Sequence, residues 1–186
     1  MKGSALVKPR KDAVEHRARI IAAATAVFAR SGCGVALEEV VAAAGVGRGT
    51  LYRHFPARED LVAAVLRGEL DRMIAFVDAR RAASSLFGEF LQHHAEVGLM
   101  AVDAIRTLGP PVAEQVMRPL QSDAATMYQL VVDNALAHRT VPEGFDIAGL
   151  MLAMRMVIAA ASQAESGDER KALIARGLQI VLRGLG

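Results

Sequence analysis

Between Leu37 and Pro56 the sequence reads LEEVVAAAGVGRGTLYRHFP, and its punctuation leaves little choice of fold. Val40, Val41 and Ala44 share one side of a helix, and Gly45 stands where a left-handed turn residue would end it. Leu51 and Phe55 recur four apart, and Pro56 stops the second run. Two short helices, over about residues 37–44 and 48–55, joined by a tight glycine turn, make a helix-turn-helix. Upstream, in DAVEHRARIIAAATAVFARSG, Val14, Arg17, Ile21, Ala24 and Phe28 keep a spacing of three or four, with Gly32 and Gly34 as a stop. This spacing predicts a first helix.

Composition extends the helical reading to the whole chain. Of 186 residues 53% are apolar, aromatics make up only 4%, Trp is absent and Ala is abundant, which together indicate an all-α protein. A single cysteine excludes a disulfide framework and a cysteine-rich zinc site. The N-terminal residues hold no apolar segment of signal-peptide length, and no later run of about 18 apolar residues is free of charge, so a soluble, cytoplasmic protein with no membrane association is expected.

Charge divides the chain unevenly. Residues 1–58 hold ten Lys/Arg against four acids, a net of +6, while the remainder holds twelve against sixteen, a net of −4. A basic first third on a slightly acidic body indicates that the first part meets a polyanion. A solvated charged surface would look the same on charge alone, and the residues of the second short helix decide between the two. At about 100° per residue, the side opposite Leu51 and Phe55 carries Gly49, Thr50, Tyr52 and Arg53. Gly47 and Gly49 keep the start of that helix free of bulk, so its backbone N–H groups can approach a phosphate. Arg48 and Arg53 suit guanine edges, and Thr50, Tyr52 and His54 suit phosphate oxygens, which is the chemistry of a helix lying in a DNA major groove.

The stretch AGVGRGTLYRHFPAREDL, within a match over about residues 17–66, resembles the tetracycline-repressor-like (TetR-type) transcriptional regulators. The resemblance implies that Arg48, Thr50, Tyr52, Arg53 and His54 lie on a recognition helix and that Arg58 reaches a phosphate from the start of helix four, over about residues 58–81. It also implies a DNA-binding domain over 1–57, and a helical ligand-binding and dimerisation domain over 58–186. By the same resemblance the protein would be a homodimer that binds a palindromic DNA operator as a repressor. A small-molecule effector would release it, acting through helix four on the spacing of two DNA-reading heads. Two residues depart from the family pattern: Ala36 and Ala57 stand where polar helix caps are common.

Beyond helix four, periodicity alone speaks. Phe87, Leu91, His94, Gly98, Ala101, Ile105 and Leu108 form the inner stripe of one long helix, ended by Gly109, Pro110 and Pro111. Helices over about 112–117, 121–138, 146–165 and 168–185 follow. The helix over 146–165 is apolar nearly all round, with Arg155 its only charge before Glu165, so it is expected to pack against a partner subunit as well as its own core. Met151, Val157 and Ala161 on it, and Ile174, Leu178, Val181 and Leu185 on the last helix, are the interface candidates. Met73, His94, Tyr128 and Arg155 are the candidates for an effector site, each with an ordinary core or ion-pair role as the competing reading. His93 and His94 are adjacent and so do not form a metal pair, and neither a metal nor a cofactor is expected. No nucleophile motif or convergent acid–base group suggests catalysis. Control by a protein partner, or by oxidation of Cys33 in SGCGV, remains open as an alternative to a small ligand.

Overall fold

The computed structural model describes residues 8–164 and 166–185, with side-chain surroundings from residue 12 to residue 184. Its order is α1 (Lys8–Ser31), α2 (Leu37–Ala44), α3 (Arg48–His54), α4 (Arg58–Ala79), α5 (Leu86–Leu108), α6 (Pro110–Met117), a 3-10 turn (Arg118–Leu120), α7 (Gln121–Ala137), α8 (Ile147–Ala161) and α9 (Gly167–Leu185). Among the described residues there is no strand. The chain forms two compact units. One holds the described residues up to Val65 together with Asp103–Val116, and the other holds Leu66–Val102 with the described residues from Met117 onward. The division between these units falls within α4 and within α5, each of which contributes to both.

In the first unit, Ile20, Ala24, Val27 and Phe28 of α1 are buried with Leu37, Val40 and Ala44 of α2, Leu51 of α3, Phe55, and Leu61, Val62 and Val65 of α4. Of the expected inner stripe of α1, Ala24 and Phe28 are buried, but Ile20 and Val27 are buried beside them while Ile21 is only half-buried, Arg17 is exposed and Val14 is 70% exposed. The glycine turn forms as expected. Gly45 has φ 60° and ψ 41°, and the N–H groups of Gly45 and Val46 donate to Ala42 O (3.2 Å) and Val41 O (3.3 Å), the two bonds of a Schellman cap. A Cβ at Gly45 would also stand 3.2 Å from Arg19 Nη2, which donates to the Ala44 and Gly45 carbonyls at 2.7 and 2.9 Å. Arg19 therefore closes the end of α2 from α1. Ala36 supplies no side-chain cap to α2, whereas Asp60 compensates at α4 by accepting from Ala57 N at 2.9 Å.

In the second unit, Met73 and Val77 of α4, Phe87, Phe90 and Leu91 of α5, Met127 and Val131 of α7, Leu150, Met154 and Val157 of α8, and Ile174 and Leu178 of α9 share one core. The stripe of α5 holds as far as Gly98. Burial then steps round the helix to Met100 and Ala104, leaving Ile105 44% exposed, because the neighbours of α5 change where it passes from one unit to the other. Gly177 brings α9 close to α8: a Cβ there would stand 3.3 Å from Val157 Cγ2. Among the described residues no helix is long and apolar enough to cross a membrane.

Leu51 is fully buried beneath a helix of seven residues, so Leu51→Ala should cost about 2–5 kcal/mol. Urea unfolding with fluorescence or circular dichroism checks it; a loss below 1 kcal/mol would show that α3 is not held from beneath.

Candidate nucleic-acid interface and polar core pair

Seven residues give α3 little stability of its own. Leu51 (0% exposed) and Phe55 (2%) hold it down, the latter also lying under the Arg17 guanidinium at 5.1 Å from its ring centroid. Burying that side turns the other outward. Gly47, Arg48, Gly49, Tyr52 and Arg53 are exposed, and Thr50 and His54 are half-buried. A Cβ at Gly47 or Gly49 would meet no protein atom within 4 Å, so the start of α3 is open to close approach by a partner.

The cations of this surface are oriented. Arg48 Nη2 sits 2.5 Å from Glu38 Oε1 on α2, with both side chains more than half exposed. Arg53 folds back along α3, Nε donating to Gly49 O at 3.0 Å and Nη2 to Thr50 Oγ1 at 3.4 Å. Arg58 is different. Its Nη1 donates to Cys33 O at 2.6 Å and Val35 O at 2.7 Å, so this half-buried side chain ties the α1–α2 loop rather than standing free for a phosphate. Arg17 and Arg19 likewise serve the fold, a role that no local sequence pattern carries because their partners lie 25 or more residues away.

Cys33 is fully buried, and burial first, then the neighbouring Asp103 carboxylate, pushes its thiol up to about 12. A thiol this reluctant to ionise reacts poorly with oxidants, which weighs against oxidation at Cys33 as the means of control.

In the second unit, His94 Nε2 and Tyr128 Oη are 2.8 Å apart, with Phe90 against both rings at centroid distances of 5.1 and 6.2 Å. His94 Nδ1 is buried without a hydrogen-bond partner. Burial pushes the imidazole down to about 4 and raises the Tyr128 phenol above its usual value, so both are neutral near pH 7. Met73 belongs to the same core, but Arg155 is exposed and does not line it. Among the described residues, no group of three or more His, Cys, Asp or Glu is arranged to hold a metal.

The interface candidates fall differently from expectation. Val157, Ala161, Ile174 and Leu178 are buried within the protomer's own core, and Met151 and Val181 are half-buried. The side chain of Leu185 lies outside the described residues. A helix apolar on every side has no phase that sequence can resolve. The large exposed apolar side chains among the described residues of α8 and α9 are Leu152 (60%), Met156 (57%) and Ile180 (63%), with Arg155 beside the first two on the outward side of α8.

Residues 20–65 match the model of the bacterial regulatory proteins of the tetR family. The chain is 30% identical over 139 residues to the HTH-type transcriptional activator FasR of Mycolicibacterium smegmatis, covering 67% of this chain and 64% of that protein. It is 38% identical over 66 residues to an HTH-type transcriptional regulator of Staphylococcus aureus, covering 35% and 36% of the two chains. The matches thus span less than two thirds of these curated relatives. Two crystal structures are similar over nearly the whole chain. A TetR transcriptional regulator from Streptomyces coelicolor has 26% identity and TM-score 0.73, covering 91% of this chain and 97% of that one. A TetR transcription regulatory protein from Mycobacterium vanbaalenii has 25% identity and TM-score 0.68, covering 95% and 98%.

The low value for His94 makes stability depend on pH. The unfolded chain takes up a proton near pH 6.5 and the folded one only near 4. This contribution is complete above pH 6.5 and is lost as pH falls towards 4, on the order of 3 kcal/mol in all. Urea midpoints at pH 7 and pH 5 check it: His94→Gln should flatten the fall between them, and an unchanged fall would remove His94 as its cause.

Proposed function

The chain belongs to the TetR family of bacterial regulatory proteins, and we propose that it is a ligand-responsive DNA-binding regulator of transcription, acting as a homodimer on a two-fold DNA site. The observation that carries the reading is the outward surface of α3. There, glycines without neighbours flank exposed Arg48, Tyr52 and Arg53 above a side held down by Leu51 and Phe55. A helix presented this way fits the major groove, with the two arginines donating to guanine edges and Tyr52 and Thr50 to phosphates. Arg58 supports binding from behind, by fixing the loop before α2.

A single α3 reads only a few base pairs, so specific binding calls for two copies. The exposed apolar side chains Leu152, Met156 and Ile180 on adjacent helices support a dimer face there, and a patch of this kind is unusual on a monomer. Pairing α8 and α9 with their copies would form a four-helix interface and place two recognition helices about 34 Å apart. For the effector, the His94–Tyr128 pair in its aromatic surroundings is the polar anchor best placed to meet a small molecule, and Met73 supplies adaptable apolar contact nearby in the core.

Two outcomes test the reading. Selection from a random duplex library should return two-fold sites whose affinity falls steeply with salt. Tyr52→Phe should weaken binding to every sequence, and Arg48→Ala or Arg53→Ala should also relax preference at one base pair by about 1–3 kcal/mol. Recovery of no preferred sequence would overturn it. In sedimentation at micromolar concentration the wild type should be a dimer, and Leu152→Glu with Ile180→Glu should give folded monomers that lose specific binding. A monomeric wild type, or a double variant that stays dimeric, would remove this face from assembly.

A further inference from the structure

The two helices shared by both units end on the same few residues of backbone. α4 runs from the first unit into the second, with the division between Val65 and Leu66, and α5 runs from the second into the first, with the division between Val102 and Asp103. At the start of α4, Arg58 Nη1 donates to the carbonyls of Cys33 and Val35 at 2.6 and 2.7 Å. Near the end of α5, Asp103 Oδ2 accepts from the Cys33 N–H at 2.5 Å. The loop is shaped to receive α5. Gly32 has φ 83°, and a Cβ there would stand 2.8 Å from Asp103 Oδ2, while one at Gly34 would stand 3.5 Å from Thr107 Oγ1. Only Gly32 must lack a side chain for this approach, because a Cβ at Gly34 would make ordinary contact.

The loop leads straight into α2, whose N-cap Ala36 makes no side-chain hydrogen bond. A helix without its own cap takes its entry angle from what precedes it, so the Gly32–Val35 backbone, held from outside by Arg58 and Asp103, sets α2 and with it the turn to α3. On α5, His94, paired with Tyr128 of α7, lies nine residues before Asp103, about 14 Å along the helix. Between them, Gly98 lies against the Ile158 side chain of α8: a Cβ there would overlap Cδ1, the flexible end of that side chain, and stand 3.2 Å from Cγ1, so the larger Gly98→Val gives the firmer push.

We propose that the Gly32–Val35 loop is the point at which the state of the second unit reaches the helix-turn-helix, with Asp103 of α5 as a positioning residue beside Arg58 of α4. Transmission thus has two arms, where the resemblance to known regulators implied α4 alone. This rests on the reading of the protein as a DNA-binding regulator, but its first readout needs no DNA. A displacement of α5 in the second unit moves the Asp103 carboxylate, and the Cys33 amide must follow it or lose this hydrogen bond. If Asp103 were only a fastening for the loop, events at Gly98 would not be felt at Cys33.

Hydrogen exchange at the Cys33 amide and affinity for a duplex selected by the wild type, each read on the full chain, test this. Asp103→Ala should speed exchange at Cys33 about tenfold or more and weaken specific binding, and Asp103→Asn, which keeps an acceptor oxygen in place, should restore both. Gly98→Ala, with Gly98→Val as a larger push, should also speed Cys33 exchange and lower affinity about fivefold, and neither effect should appear on top of Asp103→Ala. The proposal is overturned if both Gly98 variants leave Cys33 exchange unchanged, or if their effects persist in full alongside Asp103→Ala. A wild type that selects no duplex, yet shows the exchange coupling, would count against the regulator reading and not against the link.

Discussion

A helix of seven residues cannot stand by itself in water, and the surface proposed to meet a duplex depends on how α3 is held. Leu51 and Phe55 are buried beneath it, Arg17 covers the Phe55 ring, and the preceding turn is locked by the left-handed Gly45 and by Arg19 on the last carbonyls of α2. Each of these contacts faces inward, so the remaining side of α3 is left to solvent. The exposed arginines and unencumbered glycines there follow from the anchoring, and chemistry suited to a duplex follows from them.

The same anchoring changes how the charge of the N-terminal third is read. Arg17, Arg19 and Arg58 belong to the basic residues behind the net +6, yet all three spend themselves on a ring or on backbone carbonyls. The field they create still favours a polyanion, but the arginines left exposed on α3 are Arg48 and Arg53. In the proposed complex Arg48 would exchange Glu38 for DNA, and because that pairing is solvent-exposed and of small worth, the exchange would carry little cost.

Glycine and proline made the element boundaries legible: α2 runs over the expected residues, α3 ends one residue early, and α5 stops at Gly109 with φ 75°. Local signals of this kind act within a few residues, and sequence displays them directly. What sequence did not display was long-range. The partners of Arg19 and Arg58 are more than 20 residues distant, and nothing local distinguishes an arginine that caps a neighbouring helix from one that meets a phosphate. On α8, hydrophobicity has no preferred side, so Val157 and Ala161 looked suitable for an interface although they fill the protomer's core. The exposure of Leu152 and Met156 appears only once α9 is packed in place through Gly177. His94 was legible as a residue on an apolar stripe, and its hydrogen bond to Tyr128, 34 residues away, was not.

That α3 lies in the major groove of two successive half-sites is tested most directly by methylation interference on a duplex selected by the protein. Dimethyl sulfate modifies guanine N7, which faces the major groove, and adenine N3, which faces the minor groove. Two clusters of guanine interference on one face of the duplex, centred about one turn apart, are the expected result. Interference confined to adenine N3, or a single cluster with no symmetry mate, would contradict it.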